Sequence, residues 1–173
     1  VMAKAMDSGD ILLSAATPID PEDTAQELHD RLSAMGGSLI LETIDQILSG
    51  SLAPVPQDHG QASYVSMLKK ADGEIDWTRP AAQIRAHVNA MTPWPGAFTF
   101  LDNKRIKIFK VALDPESADP GTIFKVSAKG IHVGTGKGSV IIHELMGASG
   151  KRLMADAFLR GHKIDLPSRF QSE

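Results

Sequence analysis

An α/β remnant followed by a small, mainly β barrel or sandwich with short helices is the fold class this sequence predicts, and three observations predict it. The first fifty residues read as strand, helix, helix. A stretch with two prolines and no hydrophobic period then interrupts the chain, and from Gly96 onward short apolar runs alternate with glycine turns. A strand followed by helices is the tail of an α/β layer, whereas closely spaced short strands build a barrel or sandwich.

The elements follow in order. Ile11-Leu12-Leu13 is a short apolar run after the turn-like Asp7-Ser8-Gly9-Asp10, and Pro18 ends it. Asp20-Pro21-Glu22-Asp23 supplies an N-cap, a proline for the first helical position and acids for the first turn. Ala25, Leu28, Leu32 and Met35 continue that helix at helical spacing, and Gly36-Gly37 predicts its end. Ser38 is placed to cap a second helix bearing Ile40, Ile44, Ile47 and Leu48, with Gly50 after it. Residues 51–66 read as an interdomain linker.

After Pro80 comes a third helix with Ile84, Val88 and Met91 on one face, ending before Pro93. Strands are predicted over residues 96–101, 105–113, 122–126, 131–135 and 139–146, joined by Asp102-Asn103, Pro120-Gly121, Lys129-Gly130 and Gly136-Lys137-Gly138. A last helix, Met154 to Arg160, stops at Gly161.

Composition narrows the function classes. The chain has 173 residues, 42% apolar and 23% charged, with no cysteine. That excludes a disulfide framework, a thiolate zinc site and a cysteine nucleophile, and makes the cytoplasm the expected compartment. No apolar run reaches the roughly 18 residues that span a bilayer, so no membrane role is expected. The chain opens on Val1, and it is expected to be a piece of a longer protein. The formal charge of −3 hides an asymmetry: residues 1–66 set two basic residues against ten carboxylates, and residues 67–173 set sixteen against eleven. The basic half is the candidate for a polyanion.

Several motifs invite a chemical reading and a plain one. Asp7 and Asp10 share a tight turn that could present a carboxylate to orient a histidine, or could be turn chemistry alone. Trp94, between Pro93 and Pro95, could stack on a base, although a packed indole joining helix to barrel is the commoner use, and Trp77 reads the same way. His29, His59, His87, His132, His143 and His162 lack ligand spacing, so no metal site is expected. His132 and His143 fall on strands and read as barrel-surface residues. Gly134-Thr-Gly-Lys-Gly138 lacks phosphate-loop spacing and precedes a strand, so it reads as a hairpin turn. The basic residues Lys69, Lys70, Lys104, Arg105, Lys107, Lys110, Lys151 and Arg152 suit nucleic-acid phosphates or a solvated face.

Taken together, certain stretches resemble the methionyl-tRNA formyltransferase family. They are Met6-Asp7-Ser8-Gly9-Asp10-Ile11-Leu12, Asp23-Thr24-Ala25, Pro56-Gln57, Tyr64 to Lys70, Asp72-Gly73-Glu74-Ile75-Asp76-Trp77, Pro93-Trp94-Pro95-Gly96-Ala97, Pro120-Gly121-Thr122-Ile123 and Gly150-Lys151-Arg152-Leu153-Met154 to Phe158-Leu159-Arg160-Gly161. They run in family order over essentially the whole chain.

The resemblance implies residues 1–50 as the end of a Rossmann-like formyltransferase domain, 51–70 as a linker and 71–173 as an OB-like tRNA-binding domain. It implies formyl transfer from 10-formyltetrahydrofolate to the amino group of methionyl initiator tRNA, by a monomer without a metal. Asp7 matches the family's catalytic aspartate, which orients and supports a histidine. Ala5 and Met6 match its folate loop. Lys69, Lys70, Lys104, Arg105, Lys107, Lys151 and Arg152 become tRNA-binding candidates. The family's Asn-x-His pair and Ser-Leu-Leu-Pro loop do not occur here, so this chain alone is expected to be inactive. Ser8 stands for the usual Thr, Ala5 for a Gly, Met67 for the first Lys of Tyr-Ala-x-Lys-Leu, and Met146 for a frequent Gln. A sugar-nucleotide N-formyltransferase and a non-catalytic nucleic-acid-binding barrel are the alternative readings.

Overall fold

Residues 6–171 are described by the computed structural model, and they divide into two units. One takes the residues up to Asp20 together with Glu27–Met67. The other takes Pro21–Gln26 and the residues from Leu68 onward. Among the described residues, no helix is long and apolar enough to cross a membrane.

The principal element of the first unit is helix α1, Ala25–Ser49. It runs straight through Gly36 and Gly37, where the sequence predicts a stop and a second start. A glycine inside a helix costs about 1 kcal/mol against alanine, but it ends the helix only by turning left-handed. Neither Gly36 nor Gly37 does so. Gly50 does, at φ 69°, and Ser51 N then donates to the Gln46 carbonyl at 3.0 Å. Leu32, Ile40, Leu41, Ile44, Ile47 and Leu48 are all exposed on this helix. The strand expected at Ile11–Leu13 is reduced to one bridge, in which Ile11 and Val55 exchange hydrogen bonds of 2.8 and 2.9 Å. Gln57 Nε2 donates to the carbonyls of Asp7 and Gly9 at 3.0 and 2.5 Å, so the stretch read as linker is tied to the Asp7 turn.

In the second unit, helix α2 (Ala81–Ala90) leads into strands β1 (Ala97–Leu101), β2 (Lys104–Asp114), β3 (Thr122–Ser127), β4 (Gly130–Gly134) and β5 (Ser139–Met146). Then come β6 (Arg152–Met154), helix α3 (Ala155–Gly161) and β7 (Ser168–Arg169). The sheet is antiparallel throughout, in the order β1-β2-β5-β4-β3-β7, with β6 on β5. Asp102 and Asn103 form the β1–β2 turn with φ 50° and 59°, the left-handed pair a two-residue hairpin uses.

The sheet returns to its first strand. Beside β7, Phe170 N donates to the Gly121 carbonyl at 2.9 Å, while Gln171 and Phe100 exchange hydrogen bonds of 2.9 and 3.1 Å. Residues 168–171 therefore lie between β3 and β1 and remove both edges, which would otherwise present unpaired backbone groups. Neither β6 nor β7 is visible in the sequence, because three and two residues carry no alternation to detect.

Inside the ring, Ile106, Ile108, Val111, Ile123, Ile131, Val133, Val140, Ile142 and Leu145 form one core with Ile84 and Val88 of α2 and Phe158 of α3. Trp77 is buried there, stacked on Phe170 at 5.3 Å between centroids, and its Nε1 donates to Thr99 Oγ1 at 3.0 Å. The packed reading of Trp77 is therefore the one observed.

Two glycines explain why the sequence motifs look as they do. A Cβ on Gly73 would lie 2.3 Å from the Gly96 carbonyl oxygen, which joins the Asp-Gly-x-Ile-Asp-Trp and Pro-Trp-Pro-Gly-Ala segments back to back. One on Gly136 would lie 1.7 Å from the Thr78 carbonyl oxygen, while Gly136 N donates to the carbonyls of Trp77 and Arg79. The Gly-Thr-Gly-Lys-Gly segment is thus a turn packed on the approach to α2.

Candidate nucleic-acid interface

Alternation along β1 turns Ala97 and Thr99 to the interior and Phe98 and Phe100 to the opposite face, where Phe98 is still buried, at 3% exposure, and Phe100 is half-buried. The pairing register then lays Phe98, Lys107, Met146 and Arg152 in one row across β1, β2, β5 and β6. Phe100 and Arg105 make a second row beside it. A β-bulge between Ile108 and Val111 turns both Phe109 and Lys110 outward, and Lys110 opposes Glu144.

The cations on this face are held against rings and backbone. The Arg105 guanidinium lies 3.6 Å over the Phe98 ring and that of Arg152 lies 4.5 Å over Phe109, both within cation–π range. Arg152 also makes a bidentate pair with Glu144 at 2.6 and 2.7 Å. Lys107 Nζ donates to the Pro95 carbonyl at 3.2 Å. A basic face interleaved with aromatic rings can bind phosphates through charge and bases through stacking.

Arg105, Lys107 and Arg152 are thus brought together on one sheet face. Lys104 is exposed at the end of the same hairpin, and Lys151 is exposed just before β6. Lys69 and Lys70 stand exposed on a separate short turn, where Asp72 Oδ2 accepts from Lys69 N at 2.6 Å. Asp7 is exposed in the first unit, on a turn with φ 55°. Met6 is exposed beside it, and Ala5 lies outside the described residues.

Two readings are corrected. Trp94 is 56% exposed, so it is not a packed indole, because Pro93 and Pro95 carry it outward past the end of α2. His132 is buried, because β4 is covered along its whole length. Its Nδ1 lies 2.6 Å from Asp114 Oδ2 and its Nε2 lies 2.9 Å from Ser127 Oγ. Burial pushes the Asp114 carboxyl up, but hydrogen bonds from His132, Glu116 N and Ser139, with the attraction of His132, leave it below its ordinary value. Asp114, Glu116 and His132 bring possible ligand atoms within 4.8 Å of one another on a cleft of about 570 Å³, a grouping that spacing alone does not reveal. Here His132 satisfies Asp114, and Lys125 pairs with Glu116.

The outward aromatics were also missed. Phe100 and Phe109 look like core residues in an apolar-rich strand, and only the register and the bulge assign them to the outer face, whereas Phe98 is buried beneath the Arg105 guanidinium.

Residues 67–163 match the family described as formyl transferase, C-terminal domain. A Geobacter sulfurreducens protein called methionyl-tRNA formyltransferase is 45% identical over 169 residues, covering 98% of this chain and 53% of its own length. One of the same name from Citrifermentans bemidjiense is 44% identical over 164 residues, covering 95% and 52%. The chain spans about half the length of the curated relatives it matches. Among solved structures, HypX from Aquifex aeolicus in complex with tetrahydrofolic acid superposes with a TM-score of 0.70 at 19% identity, covering 99% of this chain and 32% of that one. An N-formyltransferase from Helicobacter canadensis, complexed with folinic acid and dTDP-3-aminofucose, gives 0.60 at 20%, covering 82% and 52%. With the family profile matching more than half of its length, the chain belongs to the formyl transferase C-terminal domain family.

Proposed function

We propose that this chain is the C-terminal part of a methionyl-tRNA formyltransferase, which transfers the formyl group of 10-formyltetrahydrofolate to the amino group of methionyl initiator tRNA. The observation that carries this reading is the 45% identity extending over 98% of the chain to a relative of that name. In this reading residues 1–50 end the catalytic domain, 51–70 link, and 71–173 form an OB-like domain that holds the tRNA. The β2–β5 pairing, which leaves β3 and β4 to one side, is a Greek-key connection and supports the OB-like reading. The exposed apolar positions of α1 suit packing against the rest of the catalytic domain.

Each proposed residue has a chemical role. Asp7, carboxylate outward on its turn, would orient and electrostatically support a histidine of the preceding half, with Ala5 and Met6 beside the folate. Lys104, Arg105, Lys107 and Arg152 would neutralise tRNA phosphates from the sheet face, with Lys69, Lys70 and Lys151 at its margins. The working protein in this reading is a cytoplasmic monomer.

The intact protein should formylate methionyl initiator tRNA, and Asp7→Asn should abolish turnover while leaving thermal unfolding unchanged. Full activity in that variant would end the role of Asp7. The barrel is also shared with an enzyme complexed with an amino-sugar nucleotide, at 20% identity. Formyl transfer to such a sugar, with none to methionyl-tRNA, would replace the substrate proposed here.

A further inference from the structure

We propose that Trp94 and Lys107 form a subsite for one unpaired RNA nucleotide, the indole stacking on its base and the ammonium meeting its phosphate. The inference rests on the RNA-binding reading above and specifies what that face reads. Trp94 is more than half exposed although flanked by two residues whose φ is fixed, so the ring is presented outward by a stiff backbone. The backbone beneath the ring therefore has little freedom left to lose when a base stacks on it.

Lys107 supplies the charge at the right place. Its Nζ donates to the carbonyl of Pro95, the residue next to Trp94, which engages one of three N–H donors and leaves two for phosphate oxygens. The stem of Lys107 reaches that carbonyl by lying along Gly96, where a Cβ would meet its Cδ and Nζ at 3.3 Å. Gly96 also sits at φ 85°. A larger residue there would displace the lysine from the Pro95 carbonyl.

The surroundings favour a polyanion over an apolar partner. From Trp94 to Leu113 the chain carries Lys104, Arg105, Lys107 and Lys110 against the single carboxylate of Asp102. The next ring along, Phe98, is already covered by the Arg105 guanidinium at 3.6 Å. The indole is therefore an exposed aromatic surface near this end of the row, and the Lys107 ammonium is held at the carbonyl of the residue that follows it. Duplex RNA hides its base faces, so a stacking subsite discriminates unpaired from paired nucleotides.

The two tryptophans make the test internal, because Trp77 is buried and cannot meet RNA. A fluorescein-labelled, mixed-sequence single-stranded RNA octamer and its blunt-ended duplex would be titrated into this chain, following anisotropy and tryptophan emission. The same titrations would be run on the intact protein. The expected result is quenching by the single strand only, about tenfold weaker single-strand binding for Trp94→Leu, and near-parental binding for Trp94→Phe. Lys107→Ala should lower the single-strand log–log salt slope by about 0.7. Unchanged melting of Trp94→Leu would confirm that the loss is one of contact and not of fold. Salt-dependent RNA binding that ignores Trp94→Leu, or equal quenching by the duplex, overturns the subsite and leaves the RNA reading standing. Quenching in this chain but none in the intact protein shows the indole covered by another protein segment and overturns it too. No binding of either RNA overturns both.

Discussion

His132 Nδ1 stands 2.6 Å from Asp114 Oδ2, with both side chains almost closed to solvent, and Ser127 Oγ completes the chain at 2.9 Å from His132 Nε2. Strands β2, β4 and β3 are joined through this one polar network. The carboxyl of Asp114 titrates below its ordinary value of 3.8 in the folded chain. Its contribution to stability is therefore present above about 3.8 and lost as pH falls through the lower folded value. Asp114→Asn should cost about 2 kcal/mol near neutrality, the loss of a buried hydrogen bond to a charged group, and less at pH 3, below the ordinary value of 3.8. Urea unfolding at both pH values measures it, and an equal loss at both would contradict the assignment.

Glycines of the same type should give opposite signs. Gly36 and Gly37 have open space where a Cβ would stand, on the exposed surface of α1, so alanine at either should stabilise by roughly 0.5–1 kcal/mol. At Gly136 a Cβ would sit 1.7 Å from the Thr78 oxygen, and Gly136→Ala should cost at least about 2 kcal/mol through displaced backbone. Thermal unfolding of the three single variants checks this, and a stabilised Gly136→Ala would show the contact to be dispensable.

Phe170 should weigh more than its place near the chain end suggests. Its ring stacks on Trp77, and its backbone joins the segment that closes β3 onto β1. Phe170→Ala should lose about 3–5 kcal/mol and expose Trp77, seen as a red shift of its emission. A variant with parental stability would mean that the ring does not need this closure.

Glu144 neutralises Arg152 through two hydrogen bonds on the outer face. Glu144→Gln should free that charge, tighten RNA binding at low salt and steepen the salt dependence by up to about 0.9 on duplex RNA. Binding isotherms at several salt concentrations decide it. Unaltered affinity and slope would place Arg152 outside the contact.

How far the sequence could be read depended on the kind of signal. The five longer strands and α2 carried alternation, helical spacing and turn residues, and they fall within a residue or so of their expected places. Gly36-Gly37 misled because a glycine pair signals a helix end only when one of the two turns left-handed, and that depends on the backbone beyond it. The closing segment 168–171 was invisible because its pairing is wholly non-local. The basic candidates of the hairpin were legible as charges, but the row from Phe98 to Arg152 exists only through register, which composition does not encode. His132 and Trp94 reversed their expected environments for the same reason: whether a strand is covered on both faces, or a loop carries its ring outward, is decided by neighbours distant in sequence.

The most direct test of the account is the salt dependence of methionyl initiator tRNA binding by this chain, compared with a variant in which Lys104, Arg105 and Lys107 are all changed to Ala. The account predicts a log–log slope of about −3 or steeper for the parent, shallower by about 2 to 3 in the variant, since each phosphate neutralised contributes about −0.9 on duplex RNA. A flat parental slope, or the same slope in both proteins, would contradict it.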